Sequence, residues 1–365
     1  GQDEPREDHW SSGSANWFEA MRREGHHVTE HVGLLDMTAF AKCRVSGPGS
    51  EAFLNYLVAN KVPKKVGGIS LSHALNTRGG VHSEFTILKE GAESYYLVSA
   101  GALQRLDHDY LKKHMPRDGS VVFTQLTSAM GVLVVAGPKS KQLLERVSSA
   151  DFSNKKFRWL TGQEISVGGA PVKALRVNFV GELGWELHHP MEYQNTIFDA
   201  LFEAGADLQL KPFGIRAMDT MRLEKSYRTV GTELSIEYSA FESGLDRFVD
   251  LEKGDFLGRQ ALIDWQQAGS SSQLVTLEVK DVADADALGN NALTLNGELV
   301  GRATSGGFGF RCNASLALAM IKPEHATVGT VVSIDILGQA YSAVVVAESP
   351  FDPSNTRLRN VVQQA

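Results

Sequence analysis

RVNFVGELGWELHHP, residues 176–190, is the stretch on which the reading of this chain turns. A β-branched and aromatic run leads into Gly181-Glu182-Leu183-Gly184, after which apolar and polar residues alternate again. The two glycines supply positive φ or a close backbone approach, so the stretch reads as a β-hairpin or a bulge. Past the turn, a strand's period of two puts Trp185 and Leu187 on one face and Glu186 on the other. The two glutamates differ in kind. Glu182 lies in the turn and is expected to be solvated or structural. Glu186 lies in a strand between large apolar residues, so it sits either on a wet sheet face or against a ligand.

Two further stretches carry chemistry. LNTRGGVHSEFTIL, residues 75–88, has a glycine turn that delivers a strand. Val81, Ser83, Phe85 and Ile87 share one face of it, and His82, Glu84 and Thr86 the other. A carboxylate just past a glycine turn can reach a cleft as a general acid or base, and a solvated face is the alternative. KPFGIRAMDTMRLEKSYRTVGTEL, residues 211–234, reads as a helix that runs into a Gly- and Thr-containing loop, and the helix mixes Arg216, Asp219, Arg222 and Glu224 with apolar residues. Asp219 and Arg222 have i, i+3 spacing and can pair, for roughly a few tenths of a kcal/mol on a surface. The loop after it holds Tyr227, Arg228 and Glu233.

Composition bounds the rest. A chain of 365 residues is long enough for two or three domains. With 42% apolar and 22% charged residues it is an ordinary globular sequence. Its net charge of −7 argues against a nucleic-acid partner, whose binding needs clustered Lys and Arg. No apolar run approaches the roughly 18 residues of a membrane span, so no membrane partner is expected. The polar start GQDEPREDHWSSGSANW lacks the basic and apolar parts of a signal peptide. The expected compartment is the cytoplasm, or the mitochondrial matrix in a eukaryote, where a processed leader leaves no trace. Cys43 and Cys312 form no CxxC pair, which suits a reducing compartment. The adjacent pairs His26-His27 and His188-His189 diverge, and His27 and His31 lack an HExxH frame, so no metal site is expected.

Along the chain, NWFEAMRREGHHVTEHVGLLD reads as a helix ending at Gly33, after an arm irregular up to about Ser14. FAKCRVSGP reads as a strand and GSEAFLNYLVANKV as a helix. Three strands follow over residues 70–101, then an amphipathic helix, ALQRLDHDYLKKHM. VVFTQLTSAMGVLVVAGPKSKQLLERV reads as a strand pair followed by a helix. A β-α-β-β-α-β style thus occurs twice. Gly47-Pro48 and Gly137-Pro138, each ahead of a helix, hint at an internal duplication. From about Gln273 short β runs alternate with turns, as in a small barrel or sandwich. The tail from Pro350 is expected to end as a loop.

Taken together, the three stretches resemble the aminomethyltransferase (glycine cleavage T-protein) superfamily. LEKGDFLGRQAL, GELVGRATSGGFGFRCNASLALAMI and PFDPSNTRLR continue the likeness in the same order. ANWFEAMRREGHHVTEHVGLLDMTAFAKCRVSGPGSEAFL, FVGELGWEL and RLEKSYR are closer to the folate-binding C-terminal half of dimethylglycine and sarcosine dehydrogenases. The resemblance implies an α+β fold, a three-domain cloverleaf with ferredoxin-like α/β lobes and a small C-terminal β-barrel. It suggests a first lobe from residues 1–45 and 120–215, a second from 46–119 and 216–270, and the barrel from 271–365. It implies tetrahydrofolate as cofactor. Glu186 matches the carboxylate that pairs with the pterin's amino and ring NH groups. Phe179 matches an aromatic, tyrosine in many relatives, that contacts the ring. Glu84 matches the acidic catalytic position, where glycine cleavage forms have two adjacent aspartates and this chain has Ser83-Glu84. Ser83 and Arg176 are further candidate cofactor contacts, and Arg216 and Arg222 are the nearby candidates for anion contacts, since the arginine those forms carry before the helix aspartate is Met218 here.

The dehydrogenases carry an FAD domain ahead of this region. There is no room for one here and no GxGxxG after a first strand, so no FAD site is expected. The chain is then a stand-alone relative, a separate subunit or a fragment. The implied function is capture of a one-carbon unit from a methylated amine as 5,10-methylene-tetrahydrofolate, with a flavoprotein subunit or domain as partner. A stand-alone demethylase forming 5-methyl-tetrahydrofolate and a folate-binding or assembly module without chemistry are the alternatives.

Overall fold

A computed structural model describes residues 7–9, 11, 13–282 and 284–360. The first part of the expected irregular arm, residues 1–6, and the end of the tail, 361–365, lie outside the described residues. Helix α1 (Phe18–Glu30) is followed by β1 (Gly33–Asp36). The expected helix therefore stops early. Val32, Gly33, Leu34 and Leu35 are all buried, and four consecutive buried residues cannot share one helix face. Next come β2 (Ala41–Ser46), α2 (Ser50–Leu57), β3 (Ile69–Leu75), β4 (Val81–Gly91), β5 (Ser94–Ser99), α3 (Gln104–His114) and β6 (Val122–Gln125). Then follow β7 (Met130–Ala136), α4 (Ser140–Val147), β8 (Gly162–Val167), β9 (Ala170–Leu175), β10 (Gly184–Pro190), α5 (Gln194–Gly205) and β11 (Lys211–Pro212). Helices α6 (Ile215–Leu223) and α7 (Arg259–Ala268) lead to β12 (Gln273–Val279), β13 (Ala292–Leu295), β14 (Glu298–Gly309), β15 (Ala314–Ile321), β16 (Val331–Ile336) and β17 (Gln339–Val346). A short α8 (Thr356–Arg359) closes the described chain.

These strands make two sheets and a barrel. One sheet runs β11-β1-β7-β10-β9-β8, the other β3-β4-β5-β2-β6, and β12-β15-β14-β13-β16-β17 close on themselves. The two strands expected to pair, β6 and β7, belong to different sheets. β6 pairs with β2 and β7 with β1 and β10, while a turn at Leu126–Ala129 carries the chain across. Residues 41–45 and 122–125, expected in the first lobe, are thus strands of the second sheet.

The duplication hinted at by the Gly-Pro echo is visible in the connectivity. Each sheet is β-α-β-β-β-α-β, one strand more than the expected motif, and β1 is inserted between β7 and β11. Gly47 and Gly137 have φ of 105° and 124°, which favour glycine. Gly47 N–H donates to the Glu93 carbonyl at 2.9 Å, and Gly137 N–H to Leu183 at 2.8 Å. Those bonds set the register. Ser46 faces Ser94 in one copy as Ala136 faces Gly184 in the other. Counting on, Tyr96 occupies the position of Glu186, and Leu88 that of Leu175.

Each sheet covers one face with its own helices. Trp185, Leu187, Leu133 and Val135 pack with Leu143, Leu144, Ile197 and Leu201. Phe85, Ile87, Tyr95 and Leu97 pack with Phe53, Leu54, Tyr110 and Leu111. The remaining faces meet each other. Ile69, Leu88, Tyr96 and Val98 of one sheet share a buried cluster with Leu175 of the other. A Gly68–Thr161 bridge joins the two copies at equivalent points.

Candidate functional site

The layer between the sheets carries the two acids singled out by sequence. Glu84, Thr86 and Leu88 alternate with the buried Ser83, Phe85 and Ile87, so Glu84 shares the inward face with Leu88. His73 is its cross-strand partner on β3 and is fully buried. His73 Nε2 lies 3.0 Å from Glu84 Oε2. His73 Nδ1 is buried and has no hydrogen-bond partner among the described residues, so the ring's bond is Nε2–H donating to Glu84. Phe248, in a 3-10 turn over Asp246–Phe248, packs 5.5 Å from the His73 ring. The Glu84 side chain keeps 26% exposure, enough to meet a ligand.

On β10, Glu186 and His188 share the inward face of the facing sheet. Glu186 is 8% exposed and His188 fully buried. His188 Nε2 lies 3.0 Å from Glu186 Oε2, and His188 Nδ1 lies 3.1 Å from the Tyr96 hydroxyl of β5. Burial holds His188 below its ordinary pKa, against the pull of Glu186. The ring is therefore neutral, with one donor and one acceptor. Burial and the charge of Glu186 push the Tyr96 phenol well above its ordinary value, so it keeps its proton. The consistent assignment is Tyr96 O–H donating to Nδ1 and Nε2–H donating to the Glu186 carboxylate.

Cations surround this pair. Lys173, cross-strand from His188, holds its ammonium 4.8 Å from the Tyr96 ring centre and pairs with Glu90. Burial alone would raise the Glu90 carboxyl, but Arg44 and Lys173 outweigh it and hold it at about 2. Lys42 is fully buried and donates to the Thr38 and Met130 carbonyls at 2.8 and 2.7 Å. Burial lowers its ammonium to about 8.

The turn between β9 and β10 carries the aromatic singled out by sequence, Phe179. Asn178 Oδ1 accepts from the Val180 and Gly181 amides at 3.0 and 3.2 Å, and its Nδ2 donates to the Glu182 carbonyl at 2.6 Å. Gly181 has φ of 74°, and a Cβ there would meet the Lys225 side chain at 2.6 Å. Val180 packs in one cluster with Val134, the cross-strand partner of Glu186. The Phe179 ring meets Tyr227 at 5.6 Å between centroids. Burial pushes the Tyr227 hydroxyl up to about 12.

The other candidates from sequence lie elsewhere. Ser83 is buried on the opposite face from Glu84, beside Asp107 and α3, because neighbours on a strand point oppositely. Arg176 is buried beneath Trp185, on the face away from Glu186, and donates to the Phe157 and Arg359 carbonyls. Arg222 is buried against Asp219 at 2.7 Å, Glu233 at 3.4 Å and the Tyr227 carbonyl at 3.0 Å. Arg216 stacks on Trp17 at 3.8 Å and pairs with Asp8 at 3.1 Å. All four are engaged within the fold. Glu182, expected to be solvated or structural, is structural and 1% exposed, bound by Arg357 at 2.8 Å and Arg311 at 3.3 Å. Sequence reasoning did not single out His73, Tyr96 or Phe248, and named Tyr227 only in its loop and His188 only in a histidine pair, neither as a site residue. His188 had a signal, since i, i+2 spacing in a strand shares a face with Glu186. His73 and Tyr96 had none, because cross-strand register and sheet packing bring them in.

The fold is that of a known class. Glycine cleavage system aminomethyltransferase T from Bartonella henselae superposes with a TM-score of 0.83 at 22% identity, over 95% of this chain and 94% of that one. The GCVT N-terminal domain family matches residues 5–253, and the glycine cleavage T-protein C-terminal barrel domain matches residues 273–352. The chain belongs to the aminomethyltransferase, or glycine cleavage T-protein, family. It is 32% identical to an aminomethyltransferase of Bacillus mycoides over 92% of this chain and 90% of the relative. It is 34% identical to mitochondrial dimethylglycine dehydrogenase of Homo sapiens and 30% identical to 4-methylaminobutanoate oxidase (formaldehyde-forming) of Paenarthrobacter nicotinovorans. Those matches cover 94% and 96% of this chain but only 40% and 42% of the relatives, so the chain spans less than half their length. No helix among the described residues is long and apolar enough to cross a membrane.

Proposed function

We propose that the chain is a tetrahydrofolate-dependent one-carbon transferase. It captures a C1 unit from an N-methyl amine as 5,10-methylene-tetrahydrofolate, beside a flavoprotein oxidase or dehydrogenase subunit or domain. The observation that carries this is Glu186. Among the described residues it accepts one side-chain hydrogen bond, from His188, so most of its lone pairs remain for a ligand. A shielded carboxylate with free lone pairs fits a flat ring with adjacent N–H donors, and the Phe179–Tyr227 pair in the turn that leads into the same strand offers it an aromatic face. The N-methyl donor is supported by relatives whose names specify dimethylglycine, sarcosine and 4-methylaminobutanoate.

In this reading Glu186 orients the pterin edge and Phe179 with Tyr227 covers a face. Bound tetrahydrofolate would supply the N5 and N10 nitrogens that take up the carbon. Glu84, held at Oε2 by His73, uses its other oxygen to accept and return a proton at those nitrogens. Holding the reactants together makes capture effectively intramolecular. The lobes would be one built on β1 and β7–β11, one on β2–β6, and the barrel on β12–β17. The proposed compartment is the cytoplasm or the mitochondrial matrix.

Isothermal titration with tetrahydrofolate tests this. Wild type should bind, and Glu186→Gln should bind about 100-fold more weakly, since charge-assisted bonds are lost and an amide donor faces donors. An unbound wild type, or equal binding by the variant, sinks the proposal. Mass spectrometry of the folate product separates methylene capture from direct methyl transfer, and a 5-methyl product would assign the chain as a stand-alone demethylase.

A further inference from the structure

Tyr96, His188 and Glu186 form a hydrogen-bonded chain across the two sheets, and we propose that Tyr96 and His188 act as a tautomer lock that fixes the Glu186 carboxylate for its ligand. The inference rests on the reading of Glu186 as the pterin-binding group. His188 and Tyr96 are positioning residues in it and touch no ligand.

The argument begins with the imidazole. A neutral ring carries its proton on Nδ1 or on Nε2, and the partner of one nitrogen decides the other. Nε2 lies 3.0 Å from a carboxylate oxygen, which only accepts. Nδ1 lies 3.1 Å from the Tyr96 hydroxyl, which can donate or accept. If the proton sat on Nδ1, the bare Nε2 lone pair would face the carboxylate lone pairs in a dry layer. The Tyr96 hydroxyl, by donating to Nδ1, makes that tautomer unfavourable. The two rings stand edge to face at 88° with centroids 5.4 Å apart.

The two halves of the chain come from different sheets. Tyr96 sits on β5 and His188 on β10, at the buried cluster that joins the copies. Tyr96 is also the residue that occupies, in the first copy, the position Glu186 holds in the second. The lock therefore ties the carboxylate's rotamer to the seating of one sheet on the other. Lys173, over the Tyr96 ring, pairs with Glu90, which also pairs with Arg44, the cross-strand neighbour of Tyr96. With one lone pair of Oε2 taken, the plane of the Glu186 carboxylate is set before any ligand arrives, and preorganisation of this kind is what favours tight binding.

A plain packing role for His188 would predict something else: that any side chain of similar volume serves. Three variants of the full chain separate the two, with tetrahydrofolate as probe. Tyr96→Phe keeps the ring and removes only the hydroxyl, and should weaken binding about tenfold. His188→Gln places an amide N–H near the Nε2 position and should stay within a few-fold of wild type. His188→Ala should lose about tenfold or more. Nitrogen NMR of histidine-labelled protein without ligand should show the His188 proton on Nε2 in wild type, and a shifted Nδ1 resonance in Tyr96→Phe, where that acceptor loses the hydroxyl. A proton on Nδ1 in wild type, wild-type binding by Tyr96→Phe, or equal losses in His188→Gln and His188→Ala each overturn the lock. If Glu186→Gln also binds as wild type does, the pterin reading falls and the lock with it. If Glu186→Gln is weak while Tyr96→Phe is not, the lock alone falls.

Discussion

Replacing Arg311 with Met tests whether the glutamate in the Gly181–Gly184 turn is structural. The Arg311 side chain is 1% exposed and reaches four groups. Its Nε pairs with Glu224, Nη1 meets the Val180 carbonyl at 2.9 Å and Glu182 at 3.3 Å, and Nη2 meets the Met221 carbonyl at 2.7 Å. The guanidinium also covers the Phe351 ring at 3.9 Å. Met fills most of the volume and removes every donor. Glu182 keeps Arg357, and Glu224 keeps the backbone amides of Arg311 and Cys312, so the loss is partial. Breaking a buried pair from one side costs about 3–5 kcal/mol. At roughly 2–4 °C per kcal/mol for a chain of this size, the melting temperature should fall by about 10 °C. The deficit should also depend on pH. Burial pushes the Glu182 carboxyl up to about 7, while Arg357 and Arg311 pull it back. Without Arg311 it rises further. A raised carboxyl contributes stability below its unfolded value that is lost as pH rises through the folded one. The variant should therefore melt closer to wild type at pH 5.5 than at pH 8. Calorimetry of both proteins at both pH values gives the answer. A drop of less than about 2 °C, or one independent of pH, would refute the reasoning and reopen Glu182 as a ligand group.

Two further outcomes follow from the site. Glu84→Gln should slow one-carbon transfer by about 100-fold with tetrahydrofolate affinity little changed, as expected for loss of a general acid–base group; unchanged turnover in a steady-state assay would leave a binding module without chemistry. Acid should loosen the contact between the sheets: Glu90 is held at about 2, below its ordinary value, so its contribution is present above the unfolded value of about 4.5 and is lost as pH falls towards 2. That contribution is about 3 kcal/mol, and urea midpoints of wild type and Glu90→Gln should converge on acidification. His188, also depressed, adds a loss that begins as pH falls below about 6.5, and His188→Gln should remove that part.

Much of the fold was legible because local patterns and tertiary contacts agree. Alternation in VHSEFTI gave the faces of β4 correctly, as the burial of Val81, Ser83, Phe85 and Ile87 shows. The same rule split Trp185 and Leu187 from Glu186. The Gly-Pro echo carried the duplication, since both glycines need a backbone that favours glycine. What failed was whatever depends on partners distant in sequence. β6 and β7 look like a hairpin because nothing in VVFTQLTSAMGVLVVA says that each pairs with a different sheet. Sequence left Glu182 as solvated or structural, and could not choose because its two arginines come from residues 311 and 357. Arg176, Arg216 and Arg222 are candidate binding cations through the family resemblance, and their partners within the fold, carbonyls, a ring and carboxylates, are likewise distant in sequence or set by packing. The histidines behind the acids were invisible for the same reason, His73 wholly and His188 in part.

The duplication explains why the site lies where it does and why it is lopsided. Two copies of one sheet that bury their helix-covered faces are left with equivalent faces to set against each other. Equivalent residues then meet near the junction, as Leu88 and Leu175 do. A symmetric junction would place like beside like, and two facing carboxylates would repel in a dry layer. Here the copies diverge at that point. The second carries Glu186 where the first carries Tyr96, and a hydroxyl donor can join a carboxylate through one imidazole where a second acid could not. The first copy's acid, Glu84, is displaced to another strand, next to its own histidine and with more exposure. In the proposed function the shielded carboxylate would hold the ligand and the more open one, on the facing sheet, would exchange protons. That division of labour requires both sheets to be seated, so a change that loosens the junction should weaken ligand binding and proton transfer together, whereas Glu84→Gln and Glu186→Gln should separate them.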